Sequence, residues 1–193
     1  MSIPINQHYV PVFYLRNFSN DVERAHIAWY NYILSKVAAF SPIKKVASQD
    51  NFYGENSEME KTYADIESRA SKVIGEIILS GQLERNDGLG KFLLWIYTFI
   101  QFSRTSKRVT QFLQILKGAV KNMRDISKEN AAIIEKLELP SSIIMGLNYQ
   151  NFFSVFPDTL DLHIKFVIDR SPLPFITSDH PVFTYNQFLE TCL

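Results

Sequence analysis

Apolar residues recur at three- and four-residue spacing along the middle of the chain, which is the pattern of amphipathic helices. The clearest run begins at a capping box formed by Ser57 and Glu60 and stops at Ser80 and Gly81. The apolar positions on its shared face are Met59, Tyr63, Ile66, Ala70, Val73, Ile74 and Ile77. We therefore predict one long helix over residues 57–80.

A second long helix is predicted from near Asp87 or Gly90 to about Met123. Its first half, FLLWIYTFIQF, is apolar on nearly every side, which is typical of a central helix covered by its neighbours. Its later stripe consists of Val109, Phe112, Leu113, Leu116, Val120 and Met123. Helical patterns recur at residues 127–137 and, more weakly, at residues 141–153.

Extended structure is predicted at the two ends of the chain. A residue before proline favours extended backbone, so residues 8–10 should be extended and a short helix should occupy residues 11–18. Residues 26–32 have the composition of a strand, and residues 43–48 could be its hairpin partner. Near the C-terminus, alternation predicts a strand at residues 160–166, with short extended runs at 175–177 and 182–185.

The order of these elements indicates an α+β fold. It should be mainly helical, with two long helices and a small mixed or antiparallel sheet. The sequence contains no internal repeat, no Gly/Ser linker and no block of like charge. We therefore predict a single domain over residues 1–193.

The composition limits the classes of protein to consider. The chain has 193 residues, of which 46% are apolar, and that is enough to bury one core. Its 20 basic and 20 acidic residues cancel, so the net charge gives no support to nucleic acid as a partner, which would need a local basic patch. Cys192 is the single cysteine, which excludes an internal disulfide framework and a cysteine-based zinc site.

No segment of the sequence reads as a targeting signal or a membrane span. The N-terminus lacks the charged start and apolar run of a signal peptide. The most apolar stretch covers residues 92–102, about half of the roughly 20 residues that a span requires. We therefore expect a cytoplasmic protein with no membrane partner.

Two segments of the chain resemble the signature motifs of an uncharacterised bacterial family of unknown function. Residues 8–18 read HYVPVFYLRNF, and residues 177–182 read TSDHPV, where the family motifs are HYVPxFYLRxF and TSDxPV. Weaker likenesses lie between them at Phe52-Tyr53-Gly54, Ile66-Glu67, Gln101 and Arg104-Thr105. The resemblance covers nearly the whole chain, and it implies no particular activity.

Members of the resembled family usually continue with further strands beyond the TSDxPV motif, so this chain looks truncated at its C-terminus. A strand at residues 182–185 would then lack a neighbour. An unpaired strand edge is prone to pairing with another chain. Self-association through this edge is therefore expected.

Three groups of polar residues could carry chemistry. His8 lies just before a predicted helix start, and its charge changes near neutral pH. Arg16 and Arg104 lie in apolar surroundings, where a buried guanidinium needs a carboxylate or a phosphate opposite it. Gln101, Arg104 and Arg108 would share one stripe of the second long helix.

Each group also has a structural explanation. His8 could anchor the N-terminus by hydrogen bonds, and the arginines could form salt bridges, most simply to Glu67 or Asp179. Ser178 and Asp179 before a proline are ordinary turn residues. Alternatively, Asp179 could bind a divalent metal or act as a base, with His180 as a second ligand or a proton carrier.

Two functional hypotheses follow from these residues. The first is a metal-assisted phosphodiester hydrolase or nuclease, with His8, Glu67, Asp179 and His180 as ligands or acid–base groups. In that hypothesis Arg16, Gln101 and Arg104 bind the substrate. The second is a non-catalytic binding or regulatory module whose polar residues form a buried structural network. No ligand spacing in the sequence identifies a metal or another cofactor, and both hypotheses remain open.

Overall fold

The computed structural model describes residues 5–54, 57–83, 88–122, 141–159, 162–173 and 175–183, together with the single positions 127, 130, 132 and 136. Within them the helices are α1 (Val12–Leu15), α2 (Ser57–Ser80), α3 (Gly88–Ser103), α4 (Ser106–Lys121) and α5 (Ser141–Val155). The strands are β1 (Asn6–His8), β2 (His26–Asn31), β3 (Lys36–Pro42) and β4 (Ser48–Asp50). The predicted α+β class, mainly helical with a small antiparallel sheet component, is confirmed.

The strands of the described residues form two separate antiparallel pairs. β1 pairs with β4, with His8 opposite Ser48, and β2 pairs with β3 in a hairpin. The predicted partner of β2, residues 43–48, is therefore wrong. Residues 43–45 form a 3-10 turn instead, because Pro42 ends β3 and Ile43 is buried.

The first long helix has the predicted bounds, since α2 begins at Ser57 and ends at Ser80. Gly81 follows in the left-handed region, with a φ of 72°, and its N–H donates to the carbonyl oxygen of Ile77. That geometry satisfies a terminal carbonyl and suits glycine, which has no Cβ to clash there. The side chain of Ser57 lies outside the described residues, while Glu60 accepts a hydrogen bond from Gln7.

The second long helix is divided in two, which corrects the prediction of one helix ending near Met123. α3 ends at Ser103, and Thr105 has the extended backbone of an N-cap for α4. The Thr105 hydroxyl accepts a hydrogen bond from the backbone N–H of Arg108, and this bond replaces one that the uninterrupted helix would make. The predicted stripe of Gln101, Arg104 and Arg108 therefore does not lie on one continuous helix.

Two apolar clusters hold the fold together. The helical core consists of Phe52, Tyr53, Tyr63, Ile100, Val109, Ile144 and Met145. The N-terminal core consists of Val10, Leu15, Ile27 and Ile43. Tyr9 packs against both, so the segment between β1 and α1 joins the two halves of the described structure. The predicted short helix at residues 11–18 is confirmed as α1 followed by a 3-10 turn.

The C-terminal segment does not form the strands that alternation predicts. Residues 162–170, 175–178 and 181–183 have no strand pairing in the described structure, and most of their apolar side chains are exposed. The expected sheet edge at 182–185 is therefore absent at residues 182 and 183, while residues 184 and 185 lie outside the described ranges. Most of the helix predicted at residues 127–137 also lies outside the described ranges.

None of the described helices combines the length and the apolar character that crossing a membrane requires.

Candidate functional site

Arg104 lies at the break between α3 and α4 and is fully buried. Its Nη1 donates to Oε1 of Glu67 on α2 at 2.6 Å, and its Nε and Nη2 donate to Oε1 of Gln101 at 3.2 and 2.9 Å. The guanidinium carbon lies 5.4 Å from the centre of the Tyr63 ring. We call these four residues the Arg104 cluster. Of the two structural partners expected for Arg104, the structure selects Glu67.

The Arg104 cluster also fastens the N-terminal segment. Gln101 donates from Nε2 to the carbonyl oxygen of Tyr9 at 2.9 Å, and the Tyr53 hydroxyl donates to the carbonyl oxygen of His8 at 2.7 Å. Helix α3 and the loop before α2 therefore satisfy two successive carbonyl groups of one extended segment. This arrangement couples the two cores through hydrogen bonds as well as through packing.

Neighbouring groups favour the charged form of Arg104 and accept hydrogen bonds from its nitrogens. Burial alone would lower the pKa of Arg104, but interactions with Tyr53 and Glu67 outweigh it and raise the pKa above its ordinary value. The nitrogens Nε, Nη1 and Nη2 all donate within the cluster. All three nitrogens of the guanidinium are therefore engaged by neighbouring side chains of the fold.

His8 and its neighbour Gln7 are tied into the N-terminal part of the structure. The buried Gln7 accepts a hydrogen bond from the backbone N–H of Tyr53 at 2.6 Å through Oε1. His8 Nε2 lies 3.3 Å from the carbonyl oxygen of Ile43. Burial lowers the pKa of His8, although that bond and the charge of Glu67 oppose the change. The ring of His8 is thus hydrogen-bonded to the 3-10 turn after β3, in surroundings that favour its neutral form.

Residues 177–181, the TSDHP segment, contact the same break between α3 and α4. His180 Nδ1 lies 2.5 Å from the Thr105 hydroxyl, and the backbone N–H of His180 donates to the Ser178 hydroxyl. The hydroxyl oxygens of Thr177 and Tyr14 lie 3.0 Å apart and form a hydrogen bond. The segment therefore makes the turn expected of Ser178 and Asp179. It also touches α4 and α1, which the sequence could not indicate.

Arg108 is the residue whose environment sequence reasoning missed. Its guanidinium carbon lies 4.4 Å from the centre of the Phe102 ring, and Nε is shielded from solvent with no hydrogen-bond partner among the described residues. Burial lowers the pKa of Arg108. The arginine differs from Arg104 in having no carboxylate bound to it in the described structure.

Charges of both signs surround His180 beside Arg108. Burial lowers the pKa of His180, and the charges of Lys107 and Arg108 lower it further, while Asp179 opposes them. Asp179 is exposed, and its charge adds to burial in raising the pKa of Tyr9. We call Lys107, Arg108 and His180 the Arg108 surface. An open depression of about 440 Å³ adjoins it and is lined by Arg108, Gln111, Gln114 and Ile115.

The structure brings most of the predicted site residues to this region and leaves one outside it. Glu67, Gln101 and Arg104 form a direct cluster, and the segments carrying His8, Asp179 and His180 adjoin it. Arg16 is exposed on the 3-10 turn after α1, so the apolar surroundings expected for this arginine are not found. The reason is that Leu15, and not its neighbour, faces the N-terminal core.

A metal centre does not emerge from the part of the chain that the structure describes. Within it, no group of three or more His, Cys, Asp or Glu side chains is arranged to bind a metal ion. Glu67 is bonded to Arg104, and His180 to Thr105, so the proposed ligands have other partners. The described residues therefore do not fit a metal bound by His8, Glu67, Asp179 and His180 together.

Comparison with known proteins identifies the family. The model of the family described as "Protein of unknown function (DUF4238)" matches residues 6–191, which is nearly the entire chain. No curated protein and no solved structure matches the chain significantly. The matched region includes the Arg104 cluster and the Arg108 surface. The chain is a member of the DUF4238 family.

Proposed function

We propose that this chain is a binding module for a small phosphate-bearing ligand, with the Arg104 cluster as its scaffold and the Arg108 surface as its binding site. The observation that carries the proposal is the contrast between the two arginines. Arg104 donates to Glu67 and Gln101, whereas Arg108 has a shielded Nε without a partner among the described residues. A guanidinium that is not bound to a carboxylate has Nη donors left for the oxygens of a phosphate group.

The surroundings of Arg108 favour phosphate as the group that binds. Lys107 adds a second cation beside His180. The amide groups of Gln111 and Gln114, which line the depression, can donate to further oxygens of the ligand. Ile115 supplies an apolar wall for the rest of the ligand. The depression has a volume of about 440 Å³ and is open to solvent, so a small ligand can reach it. We propose the cytoplasm as the location, since a single cysteine needs no oxidising compartment.

The proposal predicts that pyrophosphate raises the melting temperature of the native chain, because a ligand that binds only the folded state stabilises it. Arg108→Met should weaken pyrophosphate binding about ten- to hundredfold, the equivalent of losing one or two charge-assisted hydrogen bonds. Isothermal titration calorimetry measures this directly. Lys72→Met, on the exposed side of α2, changes the net charge equally and should bind like the wild type.

Two results would contradict the binding proposal. One is a wild-type chain that binds neither pyrophosphate nor simple phosphate esters. The other is an Arg108→Met variant that binds pyrophosphate as tightly as the wild type, because the ligand would then lie elsewhere. Near-ultraviolet circular dichroism of both variants establishes that each is folded before its binding is compared.

A phosphodiester hydrolase is the second candidate function. The observation that favours it is the approach of the His8 and Asp179–His180 segments to one helix break, which gathers groups able to accept and donate protons. A neutral histidine can take a proton from the attacking water while the water oxygen bonds to phosphorus and the bond from phosphorus to the leaving oxygen breaks; the leaving oxygen then takes a proton from solvent. Asp179 is exposed, and its carboxylate could orient the neighbouring His180.

Hydrolysis makes a separate prediction about Asp179. Asp179→Asn should abolish cleavage of bis(p-nitrophenyl) phosphate and of DNA or RNA while leaving the melting temperature unchanged, since the side chain is exposed. Assays with added Mg²⁺, Mn²⁺ or EDTA include any metal requirement. If the wild type cleaves none of these substrates, or if Asp179→Asn cleaves them equally well, the hydrolase candidate fails and the binding module is unaffected.

A further inference from the structure

The β2–β3 hairpin has one face turned to the N-terminal core and one face turned outward. Ile27 is buried in that core, and Trp29, two residues along β2, donates from its indole nitrogen to the Ser41 hydroxyl at 2.8 Å. Successive side chains of a strand alternate between faces. The pairing shifts between Ile27 and Trp29, and beyond this irregularity Tyr30 is 62% exposed and lies on the outer face.

The register assigns β3 residues to the same outer face. Val37 lies opposite Tyr30, and His26 lies opposite Pro42. A bulge between these pairs keeps Phe40 beside His26, where the two rings stack with their centres 3.8 Å apart. The outer face of the hairpin thus consists mainly of aromatic and β-branched side chains.

These side chains are strongly exposed. The outer face and the adjoining turn expose Tyr30 by 62%, Tyr32 by 79%, Ile33 by 75%, Leu34 by 60%, Val37 by 72% and Phe40 by 62%. The solvent side of an antiparallel sheet is normally polar. Contiguous apolar patches larger than a few hundred Å² mark interaction sites on soluble proteins.

The turn that extends this patch is well defined. Asn31 Oδ1 accepts hydrogen bonds from the backbone N–H groups of Ile33 and Leu34 at 3.1 and 2.9 Å. Ser35 completes the turn with a φ of 50°. The apolar turn is therefore preformed, and little conformational entropy is lost when another surface covers it.

We propose that the outer face of the β2–β3 hairpin is a dimer interface on which a second copy of this chain packs face to face. The six exposed side chains offer on the order of 800 Å² of accessible surface, given 150–250 Å² for each aromatic residue. About 800 Å² per partner is the standard size of a specific interface.

The chemistry of the patch favours a second copy over a membrane surface. Hairpin turns that bind anionic bilayers combine apolar residues with several basic ones. Lys36 is the single lysine or arginine among residues 26–42, and it lies beside Ser35 and opposite Asn31. An identical face has the same length and twist, and two-fold packing would convert two marginal hairpins into one sheet sandwich.

Sedimentation velocity of the full chain over a wide concentration range tests the interface. We expect the wild type to be dimeric and the double variant Tyr30→Lys, Val37→Lys to be monomeric, because buried lysines would face each other across the two-fold axis. The matched control is Leu79→Lys on α2, whose leucine is 89% exposed but remote from the hairpin in sequence, and it should remain dimeric.

A second variant guards against failure to fold. Tyr30→Thr with Val37→Thr keeps the β propensity of both positions while removing apolar surface, and it should also be monomeric. A wild type that is monomeric at every concentration would overturn the proposal. So would a dimer that persists in both folded double variants, or a monomer that sediments with phosphatidylserine vesicles unless Tyr30 and Val37 are replaced.

Discussion

Replacing Glu67 by alanine is expected to lower the free energy of unfolding by about 3–5 kcal/mol, because it leaves the charge of Arg104 buried without a counter-charge. Arg104 is fully buried, and the Glu67 carboxylate lies 2.6 Å from its Nη1. Gln101 remains beside the guanidinium but carries no charge. Urea-induced unfolding monitored by circular dichroism measures the change.

Glu76 provides the matched control for Glu67. It lies on the same helix, α2, has the same side chain and is exposed. Glu76→Ala should change the free energy of unfolding by no more than about 0.5 kcal/mol, as for most surface substitutions. Equal effects of the two substitutions would contradict a structural role for the Arg104 cluster.

Ile144→Ala is expected to destabilise the chain by about 2–5 kcal/mol, the range for truncating a large aliphatic residue in a packed core. Ile144 is 1% exposed and belongs to the helical core with Met145. The loss combines the transfer free energy of the missing methyl groups with the cost of the cavity left behind. The same unfolding experiment measures it.

The neighbouring residue makes the Ile144 test specific. Ile143 is 50% exposed on the same helix, α5, so Ile143→Ala removes the same atoms from a site in contact with water. Its expected cost is below about 1 kcal/mol, since little apolar surface is lost from the interior. If Ile143→Ala were the more damaging change, α5 would pack on the core through a different face.

The long helix α2 could be predicted from local signals because its boundaries are encoded locally. Ser57 begins the helix, and Gly81 supplies the left-handed residue that ends it. The hairpin partner of β2 was mispredicted for the opposite reason. Its turn contains Tyr32, Ile33 and Leu34 and lacks the Asn-Gly or Gly-rich pair that marks a tight turn.

The break between α3 and α4 escaped prediction because neither glycine nor proline marks it. Thr105 interrupts the helix by capping α4 and by bonding to His180, which lies 75 residues later in the chain. A tertiary contact of this kind overrides a helical pattern that continues on both sides. Residues 162–166 alternate but have no strand partner among the described residues, and alternation alone cannot supply one.

The candidate site was predictable in part. The pairing of Arg104 with Glu67 was one of two expected salt bridges, because a buried guanidinium requires a carboxylate. The buried Gln7 carries no periodic signal, and its partner Tyr53 becomes a neighbour only when β1 pairs with β4. Arg108 differs from Arg104 only through its surroundings, which the sequence does not reveal.

The most direct test of the division between scaffold and site compares Arg104→Met with Arg108→Met in urea-induced unfolding, with and without pyrophosphate. We predict that Arg104→Met loses about 3 kcal/mol or more without ligand. We predict that Arg108→Met unfolds like the wild type without ligand and gains about 1.4–2.7 kcal/mol less stability than the wild type from saturating pyrophosphate, as a ten- to hundredfold loss of affinity requires. An Arg108→Met variant that pyrophosphate stabilises as much as it stabilises the wild type, or an Arg104→Met variant as stable as the wild type, would contradict the assignment.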